Sequence, residues 1–112
     1  MQKVNILGTE YKIIFATEKE KPDLKEIEGY ADFTVKEIVI KDPEKRERSF
    51  DNSKEYSKKV LRHEIIHVFM YESGLWENSA ECTAWAENEE MTDWIAIQFP
   101  KILKAYQEAC CI

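Results

Sequence analysis

Apolar and polar residues alternate over the first stretch of the chain. Val4 and Ile6 alternate with polar neighbours, Gly8-Thr9 can turn the chain, and Tyr11, Ile13 and Phe15 alternate again, which predicts a β-hairpin. From Thr17 to Glu28 the chain is charged and broken by Pro22, as expected of a surface loop or a short helix. A second hairpin is predicted from Tyr30 to Phe33 and Ile38 to Lys41, turned by Thr34-Val35-Lys36-Glu37. Asp42-Pro43 ends its second strand, because proline cannot donate to a ladder.

The period changes at Asn52. Tyr56, Val60, Leu61, Ile65, Val68 and Phe69 follow helical spacing, Asn52-Ser53-Lys54-Glu55 has the form of a capping box, and Gly74 supplies the stop. Asn78-Ser79-Ala80-Glu81 opens a second helix running through Trp85, Met91, Trp94 and Ile97 to Phe99. Pro100 is expected to kink that helix or to begin a new one carrying Ile102, Leu103 and Tyr106. Strands first and helices after predict an α+β fold, a single domain over residues 1–112.

Composition narrows the function. Apolar residues make up 44% of the chain, which suits a globular domain rather than a disordered one. The net charge of −6 argues against binding a phosphate backbone, and the short run Lys45-Arg46-Glu47-Arg48 is interrupted by an acid, so no nucleic-acid partner is expected. No apolar run is long enough for a bilayer or follows the start as a leader would, so no membrane association and a cytoplasmic location are expected. Cys82, Cys110 and Cys111 make an odd count with two adjacent, which favours reduced thiols.

The chemistry concentrates in His63-Glu64-Ile65-Ile66-His67. Residues four apart on a helix project from one face, so His63 and His67 can hold one cation together. Glu64 is turned by about 100° from His63, within reach of a metal-bound water without being a ligand. The plain alternative is a pair of hydrogen-bonded core histidines. Yet these are the only 2 histidines in the chain, and they bracket a glutamate at ligand spacing. A third histidine ligand is excluded by the same count, leaving a carboxylate or cysteine from Glu81, Cys82, Glu87, Glu89, Glu90 or Asp93. Glu89 and Asp93 stand one turn apart, so one can bind metal while the other supports a ligand histidine; Glu89 is the favoured ligand and Glu90 the next.

These residues resemble the gluzincins, zinc peptidases with HExxH followed by a glutamate on a later helix. Glu89-Glu90-Met91-Thr92-Asp93 is similar to their ExxxD segment, which implies Glu89 as ligand and Asp93 as its supporting carboxylate. More narrowly, Gly29-Tyr30-Ala31-Asp32 with Ile38-Val39-Ile40 looks like the hairpin preceding the zinc helix in minigluzincins and in ImmA/IrrE-like proteins of phages and mobile elements. The resemblance spans roughly residues 29 to 97 and implies a minimal zincin-like domain: antiparallel hairpins, the HExxH helix, and a C-terminal helix with the third ligand. No DNA-binding or sensor domain, as in the larger relatives, is expected within the 112 residues.

The resulting expectation is a metallopeptidase with one zinc ion, a peptide or protein substrate, and Glu64 as general base. Tyr71, one turn beyond His67, is a candidate to stabilise the oxyanion, although a buried aromatic role suits it too; Tyr30 is a second candidate. Two alternatives stand beside this reading: a zinc-stabilised protein-binding module of phage type, and a latent peptidase whose Ile102–Ile112 tail covers the metal.

Overall fold

A computed structural model describes residues 2–45, 52–78 and 89–112. Among them the chain forms a mixed α+β fold of four strands and three helices: β1 (Gln2–Ile6), β2 (Thr9–Ala16), β3 (Gly29–Asp32), β4 (Glu37–Lys41), α1 (Ser53–Glu72), α2 (Leu75–Asn78) and α3 (Glu89–Glu108). Both expected hairpins are present. β1 pairs antiparallel with β2, and β3 antiparallel with β4. The hairpins join through a parallel pairing of β2 with β4, which gives the order β1-β2-β4-β3 and leaves β3 at an edge.

Parallel neighbours need a crossover, and the charged stretch after β2 begins it. That stretch contains a 3₁₀ turn, Pro22–Lys25, whose Leu24 is buried with Ala16 and Val39 on one face of the sheet. The other face carries the main core. Val4, Ile6, Tyr11, Ile13, Ile38 and Ile40 pack there against Leu61, Ile65, Val68 and Phe69 of α1 and Ile102 and Ala105 of α3. β4 is thus covered on both sides, the physical reason for its unbroken Ile38-Val39-Ile40. Phe15, expected to face inward with Tyr11 and Ile13, is 41% exposed at the end of β2.

The ends of α1 differ from expectation in one respect. Asn52 adopts a left-handed φ of 66° and makes no side-chain cap, so the capping box does not form. A capping side chain needs an extended backbone to fold over the first turn; here the Asn52 carbonyl instead accepts the Tyr56 N–H at 2.9 Å. Gly74 does end the helix, with a φ of 84° that a side chain would resist. Pro100 lies inside α3, whose helix continues through it to Glu108. The predicted helix start at Asn78-Ser79-Ala80-Glu81 falls largely outside the described residues, as do Cys82 and the Arg46-Glu47-Arg48 run. Cys110 and Cys111 are free thiols, Cys111 buried. No helix among the described residues is long and apolar enough to cross a membrane.

Candidate metal centre

Packing of α1 decides which way its chemistry faces. Leu61, Ile65, Val68 and Phe69 point into the core and hold the helix against the sheet, so His63 and His67 emerge on the side beside β3. Gly29 sets the closeness of that approach. A Cβ there would lie 2.8 Å from Val60 Cγ1 and 2.9 Å from Ile40 Cδ1, so β3 can run against α1 only because residue 29 has no side chain.

The two imidazoles meet with Nε2 atoms 3.0 Å apart and rings 76° from coplanar. Two nitrogens bound to one tetrahedral zinc at about 2.0–2.1 Å lie roughly 3.3 Å apart, so this pair suits a shared cation with little adjustment. Donor atoms of His63, Glu64 and His67 all lie within 4.8 Å of one another. Glu64 itself is only 6% exposed, and its Oε2 is buried without a hydrogen-bond partner among the described residues. Burial pushes its carboxyl above the usual range, with the His67 and His63 imidazoles pulling it back only in part. His67 Nδ1 is also buried and unpartnered among the described residues, although a metal-bound histidine commonly gives its second N–H to a carboxylate. Two orphaned polar atoms in one helical turn fit a site completed by groups beyond these three side chains.

The third ligand expected from the sequence lies on α3. Glu89 is the first residue of that helix, and Glu90 is exposed, but the side chains of Glu89 and Asp93 lie outside what is described. Tyr71, the candidate oxyanion donor, stacks on Phe33 with ring centroids 4.1 Å apart and planes 2° from parallel. Tyr30 packs with Ala16, Leu24 and Val39, on the sheet face away from α1. The C-terminal segment, which the latent reading lays over the metal, contributes Ile102, Ala105, Ala109 and Cys111 to the core. Its Cys111 carbonyl accepts Arg62 Nη1 at 2.6 Å, while His63 remains exposed.

Several residues near the site had no sequence signal. Phe33 lies edge-on to Trp76, with 5.6 Å between centroids, and Trp76 in turn lies edge-on to His67 at 6.2 Å. Glu72 ties the end of α1 to both hairpins. It accepts from Thr9 Oγ1 at 3.0 Å, the Tyr11 hydroxyl at 3.1 Å and Lys36 Nζ at 3.3 Å. Burial pushes Glu72 up, but these hydrogen bonds outweigh it and its carboxyl ends below the usual range.

The chain matches no family model, no curated protein and no solved structure.

Proposed function

We propose that the protein is a zinc-dependent peptidase with the metal held by His63, His67 and a carboxylate from α3, Glu89 being the favoured one. The observation that carries this reading is Glu64 Oε2, buried without a hydrogen-bond partner among the described residues beside two ring nitrogens 3.0 Å apart. An isolated buried carboxylate is costly; in a peptidase the attacking water is its partner. A zinc ion bound there would polarise the scissile carbonyl and lower the pKa of a bound water from 15.7 to about 7.

The remaining work falls to the chain's own side chains. Glu64 takes a proton from the attacking water and delivers it to the leaving amine. Asp93 would support a ligand histidine, in keeping with His67 Nδ1, which is buried without a partner among the described residues. β3 supplies the peptide rail. The Lys41 N–H donates to the Glu28 carbonyl, and bonding alternates along an antiparallel pair. Gly29 and Ala31 therefore direct their N–H and C=O groups away from β4, where an extended peptide could add as a strand. The Tyr71 hydroxyl is the candidate oxyanion donor.

The decisive test is hydrolysis of a mixed peptide library by protein holding about one zinc per chain. Glu64→Gln should keep the zinc and lose about 10²–10⁴-fold in rate; full turnover by that variant would overturn the assignment. Tyr71→Phe keeps the stack on Phe33 and removes only the hydroxyl. A tenfold or larger fall in kcat would support the oxyanion role, and an unchanged kcat would leave Tyr71 as packing.

A further inference from the structure

Two apolar surfaces flank the paired histidines, one at each end. At the His63 end a groove of about 350 Å³ runs between α1 and the beginning of β3; Ile27, Gly29, Tyr56 and Val60 give it an apolar floor, and Glu28, Lys59, His63 and Glu64 complete its lining. Its size falls in the range of small-molecule and side-chain clefts. Ile27 is 45% exposed, a large apolar side chain left in water beside the most deeply buried acid of the site. At the His67 end stand Phe33, Tyr71 and Trp76, with Trp76 50% exposed and its ring 6.2 Å from that of His67.

β3 connects the two surfaces. Gly29 lines the groove and Phe33 follows directly after Asp32, the last residue of the strand. From 29 to 33 is four residue steps, roughly 13 Å of extended chain. A peptide laid along this edge would pass the histidines between the two surfaces. Side chains two or four residues apart on it share one face, so a single face can fill both.

We propose that the site selects extended peptides carrying large apolar side chains, two or four residues apart, on either side of the cleaved bond. The inference rests on the peptidase reading and names its substrate class: apolar segments of unfolded chains, rather than charged surface loops. One residue seats among Ile27, Tyr56 and Val60, the other against Trp76 and Phe33. Desolvating both gives selectivity, because burying apolar surface is favourable while a charged side chain loses hydration there.

The test is binding, read separately from turnover. Blocked nonapeptides of alanine and serine, with Leu, Phe, Glu or Lys at two positions two or four apart, are titrated into ¹⁵N-labelled, zinc-loaded Glu64→Gln protein. Leu and Phe peptides should bind at least tenfold more tightly than the others and shift the amides of Ile27, Val60, Phe33 and Trp76. Ile27→Glu and Trp76→Ala, both at exposed positions, should each reduce binding about fivefold or more and abolish the shifts at their own end. Equal binding of all peptides, binding of none, or shifts away from both surfaces would overturn the proposal. The same titrations on metal-free wild-type protein keep the test intact if zinc fails to bind. Hydrolysis of these peptides by the zinc-loaded wild type separates the two readings. Apolar-selective binding without hydrolysis would remove the peptidase and leave the cleft; hydrolysis without apolar preference would do the reverse.

Discussion

Two shielded carboxylates sit on α1, and the chain treats them in opposite ways. Glu72, at the helix end, is held by Thr9, Tyr11 and Lys36, donors from both hairpins. Glu64, two turns earlier, has an oxygen buried without a partner among the described residues. The first arrangement is what stability alone produces, since a shielded acid that is fully hydrogen-bonded clamps the elements around it. Stability alone would not retain the second. The contrast marks Glu64 as the position that the peptidase proposal has to account for.

Substitutions can break this comparison from either side, and the largest effect belongs to Glu64. If its oxygen is reserved for a water and a proton, Glu64→Gln should cost about 10²–10⁴-fold in peptide hydrolysis with zinc content unchanged, checked by stopped assays and elemental analysis. His63→Ala or His67→Ala should remove stoichiometric zinc after dialysis; retention at wild-type levels would place the metal elsewhere.

The Glu72 side should respond in stability. Glu72→Leu strands the Tyr11 hydroxyl, while the part-exposed Lys36 ammonium turns to water, a loss of about 1–3 kcal/mol in urea unfolding. Its pH dependence has a definite sign. The Glu72 carboxyl is lowered from its ordinary 4.5, so its contribution is present above that value and is lost as pH falls through the lower native one. Between pH 7 and 3 the wild type should lose more stability than Glu72→Leu; parallel curves would show the clamp to be idle. The smallest effect is the sharpest contrast. In metal-free protein at pH 7, Glu64→Gln should stabilise by about 1 kcal/mol, because a buried carboxyl whose Oε2 has no partner among the described residues is replaced by a neutral amide. Destabilisation by Glu64→Gln would mean that Glu64 has a structural partner after all.

Gly29 bears on both regions, since it sets the distance between β3 and the histidine-bearing face of α1. Gly29→Ala should destabilise by about 1–3 kcal/mol, as its Cβ would fall within 3 Å of Val60 and Ile40. Thermal unfolding of the variant checks this.

Much of this could be read from residue order. Alternation located both hairpins, helical spacing located α1, and the i, i+4 placement of His63 and His67 put two imidazoles on one face, because these are local consequences of backbone geometry. Even the end of α1 at Gly74 is local chemistry. The cap failed because Asn52 carries the right side chain on a left-handed backbone, and nothing in Asn-Ser-Lys-Glu announces that φ. Of the two expectations for Pro100, a kink or a new helix, the new helix does not form, because α3 runs through it to Glu108.

Everything that needed two distant segments belonged to the tertiary structure. The parallel joining of β2 and β4 made β3 an edge and placed Gly29 against Val60. Leu24 had no periodic partner, and its burial depended on a crossover returning over the sheet. Glu72 and Glu64 look alike in the chain, as acids on the same amphipathic helix. Only the fold gave one of them three donors and buried an oxygen of the other without a partner among the described residues, because hydrogen-bond satisfaction depends on which strands arrive beside a helix, and residue order within that helix does not carry it.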